Sequence, residues 1–160
     1  MKGKDRGIPD ILQFRRMLKD KGLKATPQRL AVHQAMRALG HASAEEVAAQ
    51  IAAQGGTAVS SASVYNILTT LADLRIYDRR SGRGNKMVFD VRSGRHLHLY
   101  DTRGETWQDL DDEELLSLVE AHFKGRRFRG YKIDGIEVQL LCHPTRRTVL
   151  ANLIENKKQK

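Results

Sequence analysis

At Ile76 the apolar periodicity of the chain changes, and that change restricts what it can fold into. Before it, Val64, Ile67, Leu68, Leu71 and Leu74 recur at the i, i+3, i+4, i+7 spacing of an amphipathic helix. After it, two short runs, Ile76 to Arg80 and Lys86 to Val91, flank Ser81-Gly82-Arg83-Gly84-Asn85. They read as the strands of a hairpin with an arginine at its tip. Upstream, three more helices are punctuated by their own caps. Pro9 and Asp10 open the first, with Ile11, Phe14 and Leu18 at helical spacing and Lys21-Gly22 ending it. Thr26 caps the second, with Pro27 at its first position, and the helix carries Leu30, Val32, Met36 and Leu39 before stopping at Gly40. Ser43-Ala44-Glu45-Glu46 has the form of a capping box for a third helix through Gln54. The long helix starts near Ser60 or Ser61. Helices followed by a basic hairpin predict a winged helix, in which the fourth helix enters the DNA major groove and the wing lies along the backbone.

Charge supports the same division. The 160 residues carry 28 Lys and Arg against 19 Asp and Glu. Residues 1–92 hold 16 of these cations and 8 of the anions, and residues 93–160 hold 12 and 11. A nucleic-acid-binding module, 1–92, joined to a nearly neutral module, 93–160, accounts for that asymmetry. Hydrophobic residues, 40% of the chain, suffice for a core. No apolar run approaches the roughly 20 residues that span a bilayer, and the charged stretch from Met1 to Asp10 lacks a signal-peptide apolar segment. The expectation is a cytoplasmic protein with no membrane partner. A single cysteine, Cys142, excludes an intrachain disulfide and any Cys-pair zinc knuckle.

The second module begins at Ser93-Gly94-Arg95. His96 to Tyr100 reads as a strand, with Thr106 to Leu110 as its hairpin partner across Arg103-Gly104. Asp111 is expected to cap a helix ending near Phe123, with Leu115 and Val119 on its inner face. A basic loop, Lys124 to Gly130, leads to a strand from Tyr131 to Leu141 with Ile136, Val138 and Leu140 on one face. Pro144 to Asn156 is expected to form a final helix. The fold class is α+β: an N-terminal winged helix and a C-terminal α/β domain.

Two groups of residues carry chemistry. On the fourth helix, Tyr65 and Asn66 flank the exposed face and suit base edges, while Ser60, Ser61 and Ser63 suit phosphate at the helix N-terminus. Lys24, Arg29, Arg79, Arg80 and Arg83 supply further phosphate contacts. The second group is imidazole and carboxylate. His96 and His98, two apart on a strand, share a face. Asp90 ends the wing, and a hairpin can bring Asp109 near both histidines. Such donors suit iron(II), manganese(II) or zinc. Read alone, His-x-His is equally an exposed pair on a strand, His41 is a loop residue with no local partner, and His33, His122 and His143 are surface or packing residues. A nucleophilic triad, a Gly-rich phosphate loop and a spare carboxylate for general-base work are all missing from the pattern, so an enzyme is not expected.

Gly22-Leu23-Lys24-Ala25-Thr26-Pro27-Gln28-Arg29, His41-Ala42-Ser43-Ala44-Glu45-Glu46-Val47, Ser63-Val64-Tyr65-Asn66, Phe89-Asp90 and His96-Leu97-His98 occur in an order and spacing that resembles the ferric uptake regulator family of bacterial metal-dependent transcription factors. The resemblance runs from about Leu12 to Leu141. It implies a C-terminal dimerisation domain, a homodimer on a palindromic double-stranded operator, and a regulatory metal held by His41, Asp90, His96, His98 and Asp109. One iron(II) or manganese(II) per protomer is implied, with zinc possible in crystals. Asp109 stands where iron-sensing members usually have glutamate, and Asn66 where they usually have arginine. Both look like the peroxide-responsive repressors, in which iron and peroxide oxidise a ligand histidine, by position His41 or His96. Iron- or haem-responsive regulation is the alternative. The family's four-cysteine structural zinc is not expected, since Asp101 and Gly104 occupy the places of its first cysteine pair. Its secondary metal site also looks lost, with Leu97 in place of a carboxylate and Ile136 in place of a histidine. The dimer would then rest on apolar packing that includes Ile136, Val138, Leu140, Val149 and Leu153.

Overall fold

The computed structural model describes residues 7–56 and 59–145. Compactness divides the chain between Gly94 and Arg95. The first unit holds α1 (Ile11–Asp20), α2 (Pro27–Leu39), β1 (His41–Ala42), α3 (Ala44–Ala53), α4 (Ser61–Asp73), β2 (Asp78–Ser81) and β3 (Met87–Asp90). The helices start where their side chains can satisfy the first free amides. Asp10 and Ser43 each complete a capping box, with Gln13 and Glu46 as reciprocal partners. Thr26 and Ser60 cap α2 and α4. The helical stripes converge on one core: Phe14 and Leu18, Val32 and Met36, Val47 and Ile51, then Val64, Leu68 and Leu71. Ile76, Tyr77 and Phe89 close it from the wing side. Each fully buried leucine of this set contributes roughly 1.5–3 kcal/mol of apolar transfer.

The sheet of this unit is antiparallel, in the order β1-β3-β2. Its third strand corrects the expectation for His41. The segment after α2 is not a loop: His41–Ala42 pairs with Phe89–Asp90. Gly40 makes this possible, because its φ of 74° reverses the chain at the end of α2. Its carbonyl then accepts the Val91 N–H and extends the ladder. The hairpin strands are also shorter than expected, because Ile76 and Tyr77 are drawn into the core ahead of β2.

The second unit holds β4 (Leu97–Asp101), β5 (Thr106–Leu110), α5 (Glu113–Phe123) and β6 (Gln139–Cys142), with sheet order β5-β4-β6. β4 and β5 form the expected hairpin, and β6 returns parallel to β4 after the helical crossover that parallel pairing requires. Two boundaries differ from expectation. The cap of α5 is Asp112, whose carboxylate accepts the Leu115 N–H at 2.9 Å, rather than Asp111. The last strand is confined to Gln139–Cys142, the residues in register with His98–Asp101 of β4, instead of Tyr131 to Leu141. The expected final helix lies outside the described residues from position 146 on, as do Val149 and Leu153. Among the described residues, no helix is long and apolar enough to cross a membrane.

Candidate metal centre and nucleic-acid surface

In the first unit the central strand β3 ends on Asp90, opposite His41 on one side and Asp78 on the other. The Asp90 carboxylate is buried, and its two oxygens do different work. Oδ1 accepts the Arg92 backbone N–H at 2.8 Å. Oδ2 lies 3.2 Å from His41 Nε2 and 3.6 Å from the Arg80 guanidinium. A buried carboxylate persists only with such cationic or hydrogen-bonding neighbours. The Arg80 contact is one that the motif reading missed. Strand alternation was the available signal, since it turns Arg79 and Arg80 to opposite faces of β2.

In the second unit the β4–β5 register sets His98 opposite Asp109. His96, just ahead of β4, shares the face of His98, and their ring centroids are 4.3 Å apart. Both imidazoles are buried; His98 also meets the Trp107 ring edge-on at 5.8 Å. The Nε2 atoms of His96 and His98 lie 3.5 and 3.8 Å from one oxygen of Asp109. These separations are long for N–H···O hydrogen bonds. They are close to the distance between neighbouring ligands on a single divalent ion, roughly 3.0–3.4 Å for bonds of about 2.1 Å. Imidazole nitrogens and a carboxylate oxygen also match borderline divalent cations in softness. The residues present therefore fit a divalent metal.

The other histidines do different things. His33 is fully buried, stacked on Phe14 at 3.8 Å between centroids. Its Nε2–H donates to the Pro9 carbonyl at 2.9 Å, so Nδ1 accepts the Tyr77 hydroxyl at 2.7 Å. Burial lowers its pKa from 6.5 to about 4. His122 and His143 are exposed.

On α4, Tyr65 and Asn66 are exposed, and the Tyr65 ring rests at 6.0 Å, edge-on, against Phe89 of the wing. Ser60 caps the helix: its Oγ accepts the Ser63 N–H and donates to Ser63 Oγ. Ser61 is exposed beside it, and Lys24 is exposed ahead of α2. Arg29 donates to the Lys24 carbonyl at 2.8 Å, which ties those two residues together. Arg79 pairs with Asp73 at 3.0 Å on the exposed face, whereas Arg80 is turned inward. The side chain of Arg83 lies outside the described residues. Lys86 reaches Glu46 at 3.4 Å. Burial pushes the Glu46 carboxyl up, but hydrogen bonds from Ser43 and the charge of Lys86 outweigh it and hold the carboxyl below its ordinary value.

Residues 20–140 match the model of the ferric uptake regulator family. The chain belongs to that family. Its members are transcription regulators rather than enzymes, and they bind DNA operators as dimers. Among solved structures, the Vibrio cholerae ferric uptake regulator is 25% identical with a TM-score of 0.63, over 82% of this chain and 99% of that one. The Campylobacter jejuni peroxide stress regulator is 26% identical with a TM-score of 0.60, over 87% of this chain and 99% of that one. The Pseudomonas aeruginosa ferric uptake regulator with manganese, 24% identical with a TM-score of 0.66 over 82% and 98%, shares the fold. No curated protein matches significantly. Iron-uptake and peroxide regulators of this family thus stand at similar distances from the chain.

Proposed function

We propose that this regulator is a peroxide-responsive repressor, gated by one divalent metal ion that His41 and Asp90 of the first unit share with His96, His98 and Asp109 of the second. The observation that carries the reading is the convergence of two buried imidazoles on one Asp109 oxygen, at ligand-to-ligand spacing. A donor set drawn from both units fixes the relative orientation of the reading head and the dimerisation domain. In a two-fold dimer that orientation sets the distance between recognition helices, so metal occupancy becomes operator affinity. The recognition helix is α4: Tyr65 and Asn66 take base edges, and Ser60, Ser61, Ser63, Lys24 and Arg29 take phosphates, with Arg79 and Arg83 of the wing; Arg80, expected among them, is instead turned inward against Asp90.

The peroxide assignment rests on Asp109 as the last carboxylate and on Asn66 after Tyr65, the two positions that resemble the peroxide-responsive branch. When bound, iron(II) would supply the redox chemistry that activates hydrogen peroxide. At His41 or His96 a ring carbon would gain a C–O bond as the O–O bond breaks, the hydrogen of that carbon would move to the new oxygen or a ring nitrogen, and the other peroxide oxygen would leave as water, a two-electron oxidation by peroxide with no net change at the iron. The oxidised ring is a poorer ligand, so the units lose their link and the repressor leaves its operator.

The test is to treat the iron-loaded full chain with hydrogen peroxide and weigh its peptides. A gain of about 16 Da, one oxygen atom, on the peptide carrying His41 or His96, together with loss of operator binding, is expected. Reversible release on chelation with no histidine oxidation would overturn the peroxide assignment in favour of iron sensing. Release driven by added haem would overturn it in favour of haem.

A further inference from the structure

The wing carries a cation that no DNA-binding role requires to face inward. Alternation along β2 leaves Arg79 exposed and turns Arg80 toward the sheet's inner side, where its side chain is only 10% exposed. There it meets a carboxylate with one oxygen already committed. Asp90 Oδ1 already accepts the Arg92 N–H, so Oδ2 is the oxygen the backbone leaves for a cation. That oxygen is the one shared by His41 Nε2 at 3.2 Å and the Arg80 guanidinium at 3.6 Å. Arg80 cannot lose its charge to make room, because a guanidinium stays protonated in proteins. Two cations on one buried carboxylate oxygen repel strongly where water does not screen them.

We propose that Arg80 is the built-in counter-cation of the metal site: it balances the charge of Asp90 when no ion is bound, and a divalent ion at Asp90 binds against that fixed positive charge. Arg80 therefore sets the metal concentration at which the regulator switches. Without it the negative charge of Asp90 would lose a permanent cationic neighbour, and the first unit would hold a divalent ion more tightly. With it, each binding event works against a fixed positive charge. The proposal rests on the reading of Asp90 as a ligand.

The experiment titrates the full chain with manganese(II) alone and follows the free ion by its electron paramagnetic resonance. Arg80→Gln is expected to tighten manganese binding by about tenfold or more. Arg80→Lys, which keeps the charge, is expected to stay within about threefold of the unsubstituted chain. Asp90→Asn is expected to weaken binding by at least about tenfold. Unchanged or weaker binding by Arg80→Gln, or equal tightening by Arg80→Lys, would overturn the role of Arg80 while leaving the donor set intact. Undiminished binding by Asp90→Asn would instead remove Asp90 from the donor set and the proposal with it. Folding is followed by circular dichroism, and Arg80→Met, which keeps the apolar stem, decides in the same way if Gln unfolds the unit.

Discussion

At the scale of single residues, the histidines of this chain divide according to what each ring nitrogen meets. His96 and His98 point their Nε2 atoms at a carboxylate oxygen, whereas His33 spends both nitrogens on the first unit's own structure. No local feature of the sequence separates these roles: His33 lies on a helical stripe and His98 on a strand, and both are fully buried. Only the tertiary partners, Tyr77 and Pro9 in one case and Asp109 in the other, distinguish them. The role of His33 has a measurable consequence. Burial keeps its imidazole neutral in the fold down to about pH 4, while the unfolded chain takes up a proton below about 6.5. The unfolded state thus binds more protons between those values, and stability rises with pH across that window. The contribution is complete above pH 6.5 and is lost as pH falls toward 4, by roughly 3 kcal/mol. Thermal melts of the metal-free chain between pH 4.5 and 7 are expected to show this dependence. His33→Gln, which can still bond the Tyr77 hydroxyl, should flatten it; an unchanged pH slope in that variant would assign the dependence to other groups.

At the scale of elements, caps and apolar periods read well from the sequence. Asp10, Thr26 and Ser43 announce their helices, and the stripe from Val64 to Leu74 announces α4. What did not read well was pairing between distant segments. β1 has only two residues, too few for any periodicity, and exists because β3 offers it a free edge. β6 has a sequence that could extend from Tyr131, but only Gln139–Cys142 finds a partner in β4. The proposed donors Asp90, His96, His98 and Asp109 could be singled out by chemistry and strand parity. His41 could not, and it came only from family resemblance, since its pairing with Asp90 is a β1–β3 contact. The proposed reading head offers a test at this scale. Asn66 is exposed on α4, and an asparagine that bonds an adenine edge is worth about 1–3 kcal/mol of discrimination. Asn66→Ala should therefore lower operator affinity by about 5- to 150-fold and leave non-specific binding unchanged, as judged by competition gel shifts at fixed salt. An equal fall in both would remove base readout from Asn66.

At the scale of the whole molecule, operator recognition by this family depends on two copies, and the second unit exposes apolar side chains among the described residues. Leu118 is 63% exposed, Ile133 53% and Leu141 67%. β6 is also an edge strand of its sheet, with only β4 beside it among the described residues. An edge strand that exposes Leu140 and Leu141 invites pairing with another chain unless something covers it. With one cysteine in the chain, a four-cysteine zinc cannot stiffen the unit, so apolar contact must supply most of the association energy. A charge placed at that edge should therefore act on assembly before it acts on folding. Leu141→Asp buries no charge within the protomer, because the position is already exposed, but it would bury one between two copies. Analytical ultracentrifugation is expected to show the variant as a monomer at concentrations where the unsubstituted chain is a dimer. Its circular dichroism should be unchanged. Operator binding should fall to the non-specific level set by the basic first unit, since a lone reading head contacts one half-site and gains nothing from the fixed spacing of two. A Leu141→Asp chain that stays dimeric would move the interface away from β6.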